Sequence, residues 1–302
     1  MQNEKLNGYN GYEINLKKFV PLEIKASVIL VHGMSEHSGR YTDFCEFLKS
    51  NGYLVVAFDL RNHGTASPLE KIGFCEGQNY LDNLEDIYLI SEHLKETYQK
   101  PVHIFAHSYG SFITQHLIQK YPLAACRVVM SGSAHIKKDA KAGKRAVSFC
   151  CAFKDKEAPA KLLHNMSFKR YNKKYVQKNK DALATAWLTE DEAVQLAYYK
   201  DPLCTQTPFR YGFYKSFFTG VLKAYKKENL AKIDKNIKIL LLSGDDDAVA
   251  GKNAKLLKRL YNQYKKLGLD VTLKLFKGGR HELLNSKFKE QAKSEVLEFF
   301  SY

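Results

Sequence analysis

Val102-His103-Ile104-Phe105-Ala106-His107-Ser108-Tyr109-Gly110-Ser111 is the stretch on which the reading of this chain turns. A β-branched and aromatic run ends in small-His-Ser-x-Gly and passes at once into a helical pattern. The spacing predicts a strand, a tight turn and a helix, with Ser108 at the apex. Such an elbow holds its serine in a strained backbone, so small residues are needed two before and two after it. Ala106 and Gly110 supply them, although glycine is the better fit at the first position. A small-x-Ser-x-Gly pattern is common in any chain of 302 residues, and most such serines are ordinary turn residues. A chemical role for Ser108 therefore depends on partners.

On either side of this stretch, short apolar runs alternate with amphipathic segments, the sequence form of a mostly parallel sheet with helices on both faces. Strands are predicted over 27–31, 53–58, 102–106, 127–131, 238–242 and 272–276, preceded by an edge hairpin over about 12–21. Apolar residues at three-and-four spacing predict helices over 41–51, 79–98, 108–121, 253–267 and 288–300. From His135 to Ile233 the alternation stops and lysine-rich, aromatic-rich segments replace it, with the clearest helices expected over 183–199 and 211–225. The expected class is α/β, with a core made of 1–134 and 235–302 and a helical cap inserted as 135–234.

The chain is 45% hydrophobic, enough to bury a large core. It contains no apolar stretch long enough to span a membrane, and Met1-Gln2-Asn3-Glu4-Lys5 lacks the order of a signal peptide, so a soluble, cytoplasmic chain is expected. Its six cysteines form no CxxC pair and no disulfide-like spacing, which predicts free, mostly buried thiols. The net charge of +15 is concentrated: residues 135–235 hold 22 Lys or Arg against 10 Asp or Glu. No helix-turn-helix or aromatic RNA-binding strand accompanies this excess, so nucleic acid is not an expected partner.

Acyl transfer by a serine needs a base, a group to hold the base, and donors for an oxyanion. In open α/β sheets such sites lie at the carboxyl ends of strands. His281 is the base candidate. Most histidines are surface or half-buried polar residues, but this one follows the last predicted strand in the glycine loop Gly278-Gly279-Arg280-His281. After another strand comes Ser243-Gly244-Asp245-Asp246-Asp247. The two-residue gap after Gly244 selects Asp247, with Asp246 as the second choice; a solvated turn or a cation site are the other readings, the latter without an EF-hand ligand pattern. His32-Gly33-Met34 follows the first central strand, so the amides of Met34 and of Tyr109 are the candidate oxyanion donors. The order Ser108, Asp247, His281 is that of α/β-hydrolases and not of trypsin-like or subtilisin-like proteases.

Several motifs together make the chain resemble an α/β-hydrolase of the serine aminopeptidase S33-like group, which includes monoacylglycerol lipases and lysophospholipases. They are His32-Gly33-Met34-Ser35-Glu36-His37-Ser38-Gly39-Arg40-Tyr41, Asp59-Leu60-Arg61-Asn62-His63-Gly64, Ala106-His107-Ser108-Tyr109-Gly110, Ser243-Gly244-Asp245-Asp246-Asp247 and Gly279-Arg280-His281-Glu282. The Glu-His-Ser-Gly-Arg-Tyr continuation is the most specific, and the likeness extends through the cap segments 186–192 and 199–204. Three positions depart from the family pattern: Ala106 for glycine at the elbow, Asn62 for glycine in Arg-Gly-His-Gly, and Ala248 where proline is common after the acid.

The resemblance implies that Ser108 is the nucleophile, His281 the general base, Asp247 its orienting acid, and Met34 and Tyr109 the oxyanion amides, with no metal or organic cofactor. It implies a carboxylic ester hydrolase acting on monoacylglycerols or lysophospholipids. A short-chain or aromatic carboxylesterase is the alternative, and a peptidase or a non-catalytic binding protein are further readings. The cap aromatics, among them Phe149, Phe153, Trp187, Tyr198, Phe209, Phe213 and Phe217, either line an acyl tunnel or pack the cap onto the core; packing is the default for most of them. The lysine excess suits either a solvated surface or peripheral contact with an anionic membrane, where each base contributes about 1 kcal/mol.

Overall fold

The apolar runs become strands of one sheet in the computed structural model, which describes residues 1–180, 182–204 and 208–301. Those strands are β1 (Gln2–Asn7), β2 (Glu13–Phe19), β3 (Ala26–Val31), β4 (Tyr53–Ala57), β5 (Val102–His107), β6 (Arg127–Ser131), β7 (Lys238–Gly244) and β8 (Asp270–Phe276). Their order across the sheet is β1-β2-β4-β3-β5-β6-β7-β8; β3 through β8 run parallel and the β1–β2 hairpin is antiparallel at one edge. Every residue of β3, β4 and β5 is buried, as expected of central strands covered on both faces.

The covering helices follow the strands: α1 (Thr42–Ser50), α2 (Asn79–Tyr98) and α3 (Tyr109–Lys120). Between β6 and β7 lies the inserted helical region, with α4 (Lys137–Cys150), α5 (Lys161–His164), α6 (Arg170–Lys178), α7 (Glu192–Lys200), α8 (Tyr211–Ala224) and α9 (Lys227–Leu230). The chain then returns to the core for α10 (Lys255–Lys266) and α11 (Lys289–Ser301). One core layer packs Leu84, Ile87, Ile113, Leu117, Leu257 and Leu260, from α2, α3 and α10, against the sheet. The opposite layer packs Phe44, Leu48, Val296 and Phe300, from α1 and α11. No helix of the described residues is long and apolar enough to cross a membrane.

Three expectations are corrected. The edge hairpin begins earlier than position 12: residues 12–21 supply its second strand, while Gln2–Asn7 pairs with it through the turn at Tyr9–Gly11, where Asn10 (φ 56°) and Gly11 (φ 73°) take left-handed conformations. The helix expected over 183–199 forms only over Glu192–Lys200, where Asp191 Oδ1 caps the amides of Ala193 (2.9 Å) and Val194 (3.2 Å). Residues 184–188 are turn, because their neighbourhood's carbonyls serve the core instead: Ala186 O and Thr189 O accept from Arg280, and Leu188 O from the Glu282 amide. Among the cysteines, Cys45, Cys75 and Cys204 are buried, Cys150 and Cys151 half-buried, and Cys126 exposed, so burial extends to only half of the six.

Candidate active site

The elbow is built as its local sequence requires. Ser108 sits between β5 and α3 at φ 48°, ψ −114°, a strained conformation for a non-glycine residue. The turn is held by the Ser108 amide on Ser131 O (2.9 Å) and by the Ser111 amide and hydroxyl on Ser108 O (2.9 and 2.6 Å). Gly110 lets α3 approach β3, since a Cβ there would lie 2.6 Å from the His32 carbonyl oxygen. Ala106 is fully buried in the β5 ladder, opposite Val31 and Met130. Tyr109 opens α3, so its amide is among the first-turn N–H groups that no helix carbonyl satisfies.

The three consecutive aspartates have three different partners. Asp245 Oδ1 accepts from the Gly278 amide (2.7 Å) and so shapes the glycine loop. Asp246 turns to the cap, where it pairs with Lys174 and accepts from Tyr175 Oη (3.1 Å). Asp247, buried, accepts from His281 Nδ1 (2.9 Å), from the Val249 amide (2.8 Å) and from Ser243 Oγ (3.0 Å). A Cβ on Gly244 would overlap the Gly279 carbonyl, so glycine there is what allows the acid loop and the histidine loop to meet.

Burial alone would push the His281 imidazole down, but Asp247, with Glu282 and Glu36, holds it above the usual histidine range. Against the opposing effect of burial, the charge and hydrogen bond of His281 likewise hold Asp247 below the usual carboxylate range. The ring of His281 lies between His107 (centroids 4.7 Å apart) and the cap's Trp187 (4.9 Å). Burial, with the neighbouring His281, lowers His107 to about 4, so it stays neutral. No hydrogen bond joins Ser108 to His281 among the described residues; such bonds commonly tighten only once substrate is bound.

The loop after β3 is pinned by side chains. His32 Nδ1 donates to Gly33 O (2.7 Å) and Nε2 accepts from the Leu60 amide (2.9 Å), while Glu36 Oε1 accepts from the Gly33 amide (2.6 Å) and from Tyr41 Oη (2.9 Å). Asp59 fastens the next turn, accepting from the Ser38 amide (2.7 Å) and the Thr65 amide (2.8 Å). Asn62, which stands where the family pattern has glycine, adopts φ 60°, a conformation asparagine tolerates better than most residues.

Most of the cap aromatics pack. Phe213 and Phe217 lie 5.4 and 5.5 Å from the Tyr109 ring, and Trp187, Tyr198, Phe209 and Tyr214 are buried, whereas Phe149, Phe153 and Tyr199 are exposed. One group of metal-ligating types occurs among the described residues: His37, Asp201 and Cys204 have ligand atoms within 4.8 Å of one another. His37 Nδ1 accepts from the Gly39 amide (3.2 Å), which leaves the proton on Nε2, donated to Asp201 (2.9 Å); in this arrangement that nitrogen offers no lone pair to a cation. Sequence reasoning did not anticipate the contact of Trp187 with His281, nor the partners of Arg40, although Glu36 and Arg40 stand at helical i, i+4 spacing in the most specific motif.

Comparison with known proteins finds a family, relatives and solved structures similar to this chain. The family model described as serine aminopeptidase, S33, matches residues 23–287. An uncharacterized abhydrolase domain-containing protein of Dictyostelium discoideum is 35% identical over 91 residues, 30% of this chain but 9% of that protein's length. The monoglyceride lipase of Mus musculus is 26% identical over 284 residues, covering 92% of this chain and 82% of the lipase. The crystal structure of a thermostable carboxyl esterase from Bacillus coagulans shares the fold, with a TM-score of 0.89 at 21% identity, covering 99% of this chain and 97% of the esterase.

Proposed function

This chain belongs to the serine aminopeptidase S33 family of α/β-hydrolases, a family of serine hydrolases, and on that premise we propose that it is a carboxylic ester hydrolase acting on monoacylglycerols or lysophospholipids. In this reading 1–134 and 235–302 form the catalytic core and 135–234 the cap. The observation that carries it is the His281 Nδ1–Asp247 hydrogen bond of 2.9 Å at the strand edge where Ser108 stands on its strained turn. A carboxylate only accepts, so Nδ1 carries the proton and Nε2 presents its lone pair toward a serine proton.

Ser108 Oγ attacks the ester carbonyl as His281 takes its proton, and the oxyanion is received by the amides of Met34 and Tyr109. The C–O bond to the alcohol breaks as His281 returns the proton to that oxygen, leaving an acyl-Ser108. Water, deprotonated by His281, attacks the acyl carbon, and the bond to Ser108 Oγ breaks as His281 returns the proton to that oxygen, releasing the acid. Asp247 fixes the ring tautomer and stabilises the imidazolium.

Hydrolysis of p-nitrophenyl esters from C2 to C16, alongside monoacylglycerol and lysophosphatidylcholine, tests this reading. Long-chain preference abolished by Ser108→Ala is the expected result, and absence of Ser108-dependent turnover overturns it. A short-chain or aromatic esterase is the second reading, favoured by the packing of Phe213 and Phe217 against Tyr109. It predicts peak efficiency on the shortest esters.

Contact with an anionic membrane through the cap belongs to the same proposal. Phe149 and Phe153 are 71% and 78% exposed with rings 5.4 Å apart, and Lys141, Arg145, Lys154 and Lys156 are exposed nearby in the chain. Phosphatidylglycerol-containing vesicles should sediment the protein at low salt, and Phe149→Ser/Phe153→Ser should release it; equal sedimentation with both proteins argues against this face.

A further inference from the structure

Acyl transfer uses only backbone amides from the loop after β3, which leaves the side chains of Glu36-His37-Ser38-Gly39-Arg40-Tyr41 without a role in it. The structure places Arg40 between two carboxylates from opposite ends of the chain. Its Nη1 donates to Glu36 Oε2 (2.6 Å) and to Glu282 Oε1 (2.7 Å), and its Nη2 donates to Glu282 Oε2 (2.6 Å). Glu36 in turn holds the Gly33 amide, and Glu282 is the residue after His281. One buried chain of charge-assisted bonds thus runs from the oxyanion loop to the histidine loop. Tyr198 of the cap closes it, with its ring 4.7 Å from the Arg40 guanidinium and its hydroxyl on Ser35 O at 2.6 Å.

The sheet cannot provide this tie. β3 and β8 are four strand positions apart, about 19 Å at ordinary strand spacing, so no ladder bond sets the loop after one against the loop after the other. Catalysis requires that register, because oxyanion donors and base must meet one substrate carbonyl, and misplacement by about 1 Å costs about 100-fold. Arginine fits this position because its planar fork grips Glu282 with two parallel bonds while still reaching Glu36, which a lysine ammonium cannot reproduce. A buried triad with one net negative charge is weak support for stability, so its geometry is the better reason for its presence.

We propose that Arg40 is a positioning residue that holds the oxyanion loop in register with the His281 loop, with Tyr198 as the cap's hold on it. The inference rests on the ester-hydrolase reading above. It competes with a purely electrostatic role, since Glu282 and Glu36 both face His281, together with Asp247 and His107.

The test is steady-state hydrolysis of p-nitrophenyl butyrate across pH by the wild type, Ser108→Ala, Arg40→Lys, Glu282→Gln and the double variant Arg40→Met/Glu282→Gln, each first checked for a cooperative thermal melt. The double variant keeps one net negative charge in the cluster but has no bridge. The expected result is kcat lowered about 10-fold in Glu282→Gln and about 100-fold in the double variant, with KM within about threefold of wild type. The acid limb should move down in Glu282→Gln and stay near the wild-type position in the double variant. Recovery of kcat in the double variant overturns positioning in favour of charge alone, as does a folded Arg40→Lys with wild-type kcat. Glu282→Gln is isosteric; if the others do not fold, an unchanged kcat in it overturns the proposal. Turnover that survives Ser108→Ala overturns the ester-hydrolase reading and this inference together, whereas Ser108-dependent turnover indifferent to Arg40 and Glu282 overturns this inference alone.

Discussion

The sheet core and the inserted cap handle charge in opposite ways. In the core, Arg61 is sunk against Asp86 through Nε (2.7 Å) and Nη2 (2.9 Å), reaches Tyr9 O (2.7 Å) and lies over the Tyr12 ring, while Arg40 is enclosed by Glu36 and Glu282. In the cap, lysines stand mostly in solvent, and pairs such as Lys174–Asp246 leave both side chains more than 40% exposed. Besides the His37–Asp201 and Lys174–Asp246 pairs, rings and backbone bonds hold the cap to the core: Phe213 and Phe217 on Tyr109, Trp187 on His281, and Arg280 on the carbonyls of Ala186 and Thr189. A buried ion punishes displacement because its partner is left unpaired in a low dielectric, so core charges fix positions. Exposed lysines fix little and create a surface field.

Four measurements test this contrast. The largest effect belongs to the core: Ser108→Ala should lower ester hydrolysis by about 10⁴-fold or more with no loss of thermal stability, read by initial rates and a melt. Next, Arg61→Ala, which strands Asp86, should cost about 3 kcal/mol in urea unfolding. A smaller shift concerns pH. In the proposed mechanism His281 must be neutral to accept the Ser108 proton, and its proton is held above the usual range, so activity should fall as pH drops through an acid limb lying above about 6.5 in kcat/KM profiles. The smallest change is in the cap: Lys174→Ala should move stability by less than about 0.5 kcal/mol in the same unfolding assay, and a cost near that of Arg61→Ala would erase the contrast.

How far the sequence could be read follows the same division. The core strands appear within two residues of their expected ends, and helix Asn79–Tyr98 at its expected bounds, because central strands and sheet-covering helices write their burial into short, periodic patterns. In the cap, helix Tyr211–Ala224 appears near its expected bounds of 211–225, whereas the helix expected over 183–199 does not. Residues 184–188 have helical spacing, but carbonyls here, those of Ala186 and Thr189, serve Arg280 of the histidine loop, and the first strand of the edge hairpin, with Leu6 its one apolar residue, gives little apolar signal.

The parallel sheet with its insertion, the elbow at Ser108, and the candidates Asp247 and His281 are legible in the chain alone. Each of these depends on the backbone within a few residues, where small side chains, glycines and carboxylates leave a local mark. Folding alone settles that Asp246 goes to Lys174 while Asp247 goes to His281, that Trp187 covers His281, and that Arg40 meets Glu282 across 242 positions of chain. Arg40 and Glu282 lie on loops after strands four positions apart in the sheet, and Lys174 and Trp187 come from the inserted cap. No local periodicity records where two such loops will meet.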